Sequence, residues 1–454
     1  MPLQALPGIV AAVGPARQAD LTTFTSVALE LIRLRAGVNP IADVQKWRDA
    51  GARGVVLQLL SPAPGRGPLS PNAFVDAFAE VLEAFLVVGV RDVEVHDEPN
   101  RADRGAGVSW QDGTAFADWF GEVAYLLRRR VGGALRIGFP ALSLTELPHP
   151  DPVARIDASA FLKQCCSALE SADWAALHLY WRTLAEMRGL DGALGSLHSY
   201  LRAFPRQRFI VTEFANVNLE MPVALRGEQY TEFMLLMAQY ERVLGACGFL
   251  LRSYDRRYRP LGWLDADGRP TAVVDEIAAR SRLPDPHALG FFWPTERRRY
   301  DQLFGQDPQH YYDCCRMTGG HNGVDLGVDV ASPEASPIRA ALPGTVTQVA
   351  FDEVGYGHHI RVRSYGPMGE EITLLYAHLS RIEVTVGMLV SGGELLGWAG
   401  SSPYGRQPHL HLGMRMKGVS IPPVFDGLNP RPYLQVGLRR SPQPPPARGS
   451  AKAP

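Results

Sequence analysis

From residue 8 to about 281, short apolar runs rich in Val, Ile and Leu alternate with amphipathic stretches, a rhythm that predicts βα units around a parallel sheet. Eight runs have strand length: Gly8–Gly14, Ser26–Arg33, Gly54–Leu60, Asp92–Asp97, Leu135–Pro140, Ala175–Tyr180, Phe209–Phe214 and Gly248–Ser253. Helical patterns at Asn72–Leu86, Phe116–Arg130 and Glu228–Leu244 lie between them. Together they predict an α/β fold, a (β/α)8 TIM barrel at its usual size of roughly 250 residues. The first connection, residues 15–25, is short for a full helix.

The pattern changes after residue 281. A Pro/Gly-punctuated linker, residues 281–290, ends the helical periodicity, and residues 321–435 carry short alternating runs separated by glycines. That predicts a second, mostly β antiparallel domain. The expected division is a barrel over 1–283, a β domain with its leading linker over 284–437, and a Pro-rich disordered tail over 438–454.

Composition narrows the function classes. The 454 residues hold 46 Lys+Arg against 47 Asp+Glu, and a formal charge of -1 offers no field for phosphate backbones or anionic lipid. Neither a nucleic-acid nor a membrane partner is expected, and no window reaches the roughly 18 apolar residues of a span. The five cysteines include the adjacent pairs Cys165-Cys166 and Cys314-Cys315, with no C-x-x-C, and read as small buried residues of a reducing compartment. The amino terminus has no basic segment before its apolar residues, so synthesis without a standard secretion address is expected.

Histidine is the sharpest chemical signal, with seven of 12 in the last third of the chain. In Gly319-Gly320-His321-Asn322-Gly323-Val324-Asp325, the glycines disfavour a helix, and on an extended segment an even offset keeps both ligating side chains on one face. His409-Leu410-His411 is an i, i+2 pair with the same consequence. His321, Asp325 and one histidine of that pair form an N/O donor set suited to Zn²⁺ with a fourth position left open, the arrangement of a catalytic site. In Tyr376-Ala377-His378, a further imidazole is placed to position or deprotonate an attacking water, or to stabilise an oxyanion. His358 and His359 sit beside a turn and read as structural.

These motifs, with Phe304-Gly305, Gly355-Tyr-Gly-His-His-Ile and Pro408-His-Leu-His-Leu, resemble the M23 (lysostaphin/LytM-like) zinc metallopeptidases over roughly residues 288–435. The resemblance implies zinc ligands at His321, Asp325 and His411, catalytic histidines at His378 and His409, and cleavage of peptide bonds in peptidoglycan. All five positions are retained, which implies an active hydrolase.

In the barrel, Glu98 closes the fourth strand in Asp97-Glu98-Pro99-Asn100 and Glu213 closes the seventh, at the carboxyl ends where such barrels build their sites. Two carboxyl groups in opposed roles are what glycoside hydrolysis needs, and a separation of about 5–5.5 Å means retention of configuration. The pattern resembles the large clan of (β/α)8 glycoside hydrolases. That implies Glu98 as acid/base, Glu213 as nucleophile, and His178 and Tyr180 lining the site. Tyr180, Trp181 and Tyr254 are candidates for stacking on sugar. Asp97 stands where the clan has Asn, so the site is either one in which like-charge repulsion raises the Glu98 pKa or one rebuilt for binding. Asp265 and Asp267 read as a loop turn in preference to a calcium site.

The combined expectation is a cell-wall hydrolase, an endolysin-like zinc endopeptidase joined to a barrel that cleaves or binds glycan, with peptidoglycan as partner and delivery by phage lysis, a tail or an injection system. The alternative is a barrel serving only as a glycan-binding or structural module.

Overall fold

The computed structural model describes residues 4–60, 68–101, 110–151, 153–280, 282–401, 407–419, 421 and 427–437. The expected tail at 438–454 lies outside them. The chain divides into two compact units, Met1–Arg280 and Ser281–Pro454. Among the described residues, no helix is long and apolar enough to cross a membrane.

In the first unit, eight parallel strands close into a barrel in chain order: β1 (Leu6–Val10), β2 (Leu31–Arg35), β3 (Gly54–Leu59), β4 (Asp92–Val95), β5 (Arg136–Phe139), β6 (Trp174–Trp181), β7 (Phe209–Asn216) and β8 (Val243–Gly248). Ring closure is by β1 against β8, with Gly8 opposite Cys247. The clearest helices have clear causes. In Gly113–Arg130, Asp112 caps the start by accepting from the Ala115 amide, and Phe116, Phe120, Val123 and Leu127 form one buried stripe against the sheet. Pro71–Val87 starts with Ser70 as cap and proline in the first turn.

Several boundaries differ from the sequence pattern, among them the expected helix Glu228–Leu244, which runs Val223–Met237, and two of them have a clear physical reason. The first connection holds a helix, Gln18–Ser26, whose inward residue Asp20 accepts two hydrogen bonds from Arg252 at 2.8 and 2.9 Å. A helix that buries a charge has no apolar stripe to read, and Val27 and Ala28 close its end where the pattern suggested strand. β8 begins at Val243, earlier than Gly248, because Gly245 and Gly248 let Leu31 and Trp263 pack where a Cβ would clash. Such small residues carry little β propensity.

The second unit is an antiparallel sheet. Its strands are β9 (Tyr300–Gln302), β10 (Val324–Gly327), β11 (Pro337–Arg339), β12 (Gly344–Asp352), β13 (Gly357–Tyr365), β14 (Glu371–Ile382), β15 (Leu389–Val390), β16 (Leu395–Ala399) and β17 (His409–Met416). The order is β15-β12-β13-β14-β17-β10-β9, with β16 pairing β14 and β11. One face, with Ile360, Val362, Leu374, Tyr376 and Leu412, is buried.

The cysteines depart from the uniform buried reading. Cys165 and Cys247 are buried, whereas Cys166 is exposed and the exposed Cys314 and Cys315 are joined as a vicinal disulfide. The helix that holds Cys166 turns one face to solvent, and the short helix Pro308–Cys315 has no buried residue.

Packing around Gly138 on β5 gives a direct test. An added Cβ would lie 2.3 Å from the indole of Trp174, itself fully buried. Gly138→Ala is expected to cost about 1–3 kcal/mol in urea unfolding followed by tryptophan fluorescence. Gly121→Ala, on an exposed helix position with open space around it, should instead gain about 0.5–1 kcal/mol.

Candidate metal centre and barrel site

At the carboxyl ends of the barrel strands lies a cavity of about 390 Å³. Glu213 of β7 and Tyr180 of β6 line it, with Arg33 of β2 beside them. Glu213 Oε1 accepts from Arg33 Nη1 at 2.7 Å and its Oε2 accepts from the Tyr180 hydroxyl. Burial raises the Glu213 pKa, but the electrostatic interactions with His178 and Arg33 outweigh it and hold the carboxyl below the usual range. Tyr254, half exposed, also lines the cavity, with the Arg252 guanidinium over its ring.

Glu98 is placed differently. It is fully buried and does not line the cavity, because His149 and Arg101 stand between. His178 Nδ1 and His149 Nε2 donate to its Oε1 at 2.8 and 2.9 Å, and Arg101 Nη1 donates to Oε2 at 2.9 Å. Desolvation pushes its pKa up, yet the hydrogen bonds from His149 and His178 prevail and hold it well below the usual range. In place of the elevation by Asp97 that the sequence suggested, His149 and His178 hold Glu98 low, and Asp97 itself lies 3.7 Å from Arg33 and 3.8 Å from His178.

Three expected sugar contacts fall away from the cavity wall: Asp97, His178 and Trp181. His178 lies behind the wall, 3.8 Å from Glu213 and bonded to Glu98. Trp181 is wholly buried, donating to Gln229 at 2.7 Å and packed on Phe214 and Phe233. Strand alternation explains it: with Tyr180 turned into the barrel mouth, its neighbour turns out to the helices. Asp265 accepts from the Asp267 and Arg269 amides, a loop turn.

Sequence reasoning missed Arg33, His149 and Arg101. A signal existed for the first, since Leu31-Ile-Arg33-Leu-Arg35 puts charge into an apolar strand. Arg101 lies only three residues after Glu98, whereas His149 comes from a loop whose return to the site has no local pattern.

In the second unit, β10 runs antiparallel to β17 with Asp325 opposite His411 and Gly327 opposite His409. His321 precedes β10 through two glycines' worth of freedom: Gly320 has φ +83°, and Gly323 leaves room for the His411 ring, whose Cε1 would be 2.6 Å from an added Cβ. The result is that His321 Nε2 is 3.0 Å from His411 Nδ1 and 3.3 Å from Asp325 Oδ1, and His411 Nδ1 is 3.1 Å from the same Oδ1. A tetrahedral zinc with bonds of about 2.0–2.1 Å separates its ligands by roughly 3.3–3.4 Å, so the three atoms fit that ion.

Two more imidazoles flank the group. His409 Nε2 is 3.6 Å from Asp325 Oδ2. His378 should point to the opposite face, since its neighbour Ala377 is the one paired with His411. A bulge in β14 with His378 at φ +63° breaks the alternation and brings its ring 4.8 Å from that of His409 and 6.0 Å from that of His411.

Residues 321–423 match the model of peptidase family M23. The M23 peptidases are zinc-dependent, and His321, Asp325 and His411 form a donor set with the chemistry and spacing to hold such an ion. Among curated proteins, a DD-carboxypeptidase/endopeptidase Mpg of Neisseria meningitidis is 36% identical over 111 residues, 24% of this chain and 24% of its own. Lysostaphin of Staphylococcus staphylolyticus is 29% identical over 117 residues, 26% of this chain and 23% of its own. The match thus spans about a quarter of these relatives' length. A solved GH128 (subgroup II) endo-beta-1,3-glucanase from Sorangium cellulosum is similar at 17% identity and a TM-score of 0.45, covering 61% of this chain and 98% of that one.

Electrostatics in the M23 domain follow from burial and proximity. Burial raises the Asp325 pKa, but hydrogen bonds with His321 and His411 override it and hold the carboxylate well below its usual range. Burial, then His411 and His409, push His378 down to about 3. His358 is exposed against Phe351, and His359 bonds the Gly357 carbonyl; both are structural, as the sequence suggested.

Two outcomes test these sites. Purified protein should carry about one zinc per chain by mass spectrometry of metals, and Asp325→Asn or His411→Ala should weaken zinc binding at least ~100-fold in chelator competition. In the barrel, Glu98→Gln should cost ~3–5 kcal/mol at pH 7 by leaving buried cations short of their anion. A carboxylate with a depressed folded pKa stabilises above its unfolded value and loses that stabilisation as pH falls through the folded value. The gap between wild type and Glu98→Gln should therefore hold at neutral pH and close progressively below about pH 4.3 in denaturation curves.

Proposed function

We propose that the chain is a peptidoglycan hydrolase: its M23 domain is a zinc endopeptidase cutting peptide stems or cross-links, and its barrel engages the glycan of the same polymer. The observation that carries this reading is the convergence of His321, Asp325 and His411 within 3.3 Å, with His378 and His409 beside them. The name of the Neisseria relative, a DD-carboxypeptidase/endopeptidase, supports the reaction class.

His321, Asp325 and His411 would hold a Zn²⁺ ion, which when bound would supply Lewis acidity for the scissile carbonyl and the attacking water. His378 and His409 handle the protons. One imidazole takes the proton that water loses as its oxygen bonds to the carbonyl carbon, and the amine nitrogen receives a proton as the C–N bond breaks.

In the barrel, Glu213 is an anionic carboxylate at the cavity wall, suited to act as the nucleophile of a retaining hydrolase. Glu98 takes the acid/base role only once His149 moves aside. A second reading, glycan binding without cleavage, is favoured by Glu98 lying behind His149 and being held as an anion. In either case tethering raises the effective concentration of the peptidase at a wall already engaged.

Digestion of purified peptidoglycan separates these outcomes. Zinc-loaded wild type should release new amino groups, and His378→Ala or His409→Ala should lower that rate by ~10²–10⁴-fold with zinc retained. Absence of amine release from wild type would sink the peptidase reading. New reducing ends lost in Glu213→Gln support cleavage by the barrel, while intact glycan strands assign it to binding.

A further inference from the structure

Among the described residues, four arginines line the barrel cavity: Arg33, Arg35, Arg101 and Arg252. Arg33, Arg101 and Arg252 each meet a carboxylate at 2.9 Å or less, in Glu213, Glu98 and Asp20 respectively. Arg35 differs. It closes β2, two residues beyond Arg33 and so on the same face of the strand, yet it has no carboxylate within 4.0 Å among the described residues. The described acids that line the cavity are engaged elsewhere, Glu213 with Arg33 at 2.7 Å and Asp255 with Arg257 at 2.8 Å. The Arg35 guanidinium is half-buried, and burial, then the neighbouring charge of Arg33, push its pKa down.

The surroundings of Arg35 hold it in place. Its amide donates to Asn39 Oδ1 at 2.8 Å, and Asn39 Nδ2 in turn donates to the Ala12 and Gly14 carbonyls at 2.8 and 2.9 Å, which fixes the end of the strand. Gln58 stands opposite on β3, and its Oε1 accepts from Arg35 Nε at 3.1 Å. Gln58 also lines the cavity, is 2% exposed, and has its Nε2 buried without an acceptor among the described residues. A buried donor left unpaired costs free energy until something accepts from it. Thus a guanidinium without an anion sits against an amide nitrogen without an acceptor. A carboxylate, with two oxygens and several lone pairs, can serve both donors at once.

We propose that this corner of the cavity is a subsite for the carboxylate of an acidic sugar, held by Arg35 and Gln58 Nε2 while the ring that bears it lies toward Glu213. A strand rises about 3.3 Å per residue, so Arg35 stands roughly 6.6 Å along β2 from the arginine that holds Glu213, a distance on the scale of one sugar ring. The inference rests on the reading that the barrel engages glycan and adds the substrate class: a glycan with free carboxylates, in preference to a neutral one. In peptidoglycan that group is the lactyl carboxylate of muramic acid, free only where the stem peptide has been removed. A uronic acid offers the same chemistry from a different polymer. The reaction that supplies stem-free strands is hydrolysis of the lactyl amide, which a cut within a stem or cross-link leaves undone.

The test is calorimetric binding to the full chain with four probes: a stem-free peptidoglycan tetrasaccharide with its lactyl carboxylates, the same glycan converted to methylamides, an oligoglucuronate, and sodium lactate. Wild type should bind one of the two acidic glycans at least about ten-fold more tightly than the methylamide, and which of them it binds identifies the source. Arg35→Gln should erase most of that margin, and Arg35→Lys should keep part of it, because an ammonium retains the charge without the fork. Gln58→Glu, which gives Arg35 an internal carboxylate and removes the orphaned donor, should erase the margin as well. Melting curves by circular dichroism establish that each variant is folded, and two separate positions keep the test decisive if one variant is not. Equal binding of the acidic glycans and the methylamide overturns the subsite and leaves the glycan reading standing. A margin that survives in folded Arg35→Gln or Gln58→Glu overturns it too. Lactate bound through Arg35 with no glycan bound upholds the carboxylate subsite and defeats the glycan reading instead, and failure of every probe to bind overturns both.

Discussion

A β-strand turns successive side chains to opposite faces, and both candidate sites exist because of that alternation. In the M23 domain it places His409 and His411 on one face of β17 and sets Asp325 of β10 directly against His411. The ligands then need no long-range adjustment to meet, because the ladder of backbone hydrogen bonds fixes their spacing. In the barrel the same rule sends Tyr180 to the cavity and Trp181 to the helix layer. The exceptions are equally informative. His378 reaches the zinc site only because its backbone leaves the alternation at φ +63°, and Glu98, at φ +41°, sits just beyond the last residue of β4. Left-handed backbone in residues other than glycine costs on the order of 1–3 kcal/mol each, so the surrounding packing must hold both.

The barrel interior poses a second constraint, buried charge. Glu94, Asp97 and Glu213 converge on the single guanidinium of Arg33, at 2.8, 3.7 and 2.7 Å. Glu94, Asp97 and His178 have donor atoms close enough to hold a metal, but Arg33 already supplies the cation there. Its charge makes the carboxylates tolerable in a desolvated place and keeps Glu213 ionised at the cavity wall. A separate buried pair, Arg252 and Asp20, ties down the entry helix.

How much of this was legible in the residues depends on whether the information is local. Period-two alternation and spacing made the barrel and the antiparallel domain legible and singled out His321, Asp325 and His411, which the structure brings together. His-x-His encodes its own face, whereas His321 lies before β10 and reaches the group through Gly320 and Gly323. The entry helix escaped because its buried face is Asp20 instead of an apolar stripe, and β8 was displaced because its core residues are Gly245, Ala246 and Gly248. Glu98 and Glu213 were legible as strand-end carboxylates, but their surroundings were not. His149 reaches Glu98 from a loop 51 residues on, which no spacing within the chain announces, while Arg101 stands only three residues after it.

The two sites differ in what they still require. At the M23 site the donor atoms already stand at separations a tetrahedral ion imposes, and the two flanking imidazoles are close by, so binding the ion completes the constellation. The barrel has its anionic carboxylate in place but not its acid. A general acid must be protonated and must touch the leaving oxygen, whereas Glu98 is held as an anion by two imidazoles and a guanidinium and lies behind His149. Moving His149 would expose Glu98 and remove one of the hydrogen bonds that depress its pKa, with those from His178 and Arg101 still in place. The cover over Glu98 and part of the depression of its pKa are therefore linked through one side chain, His149.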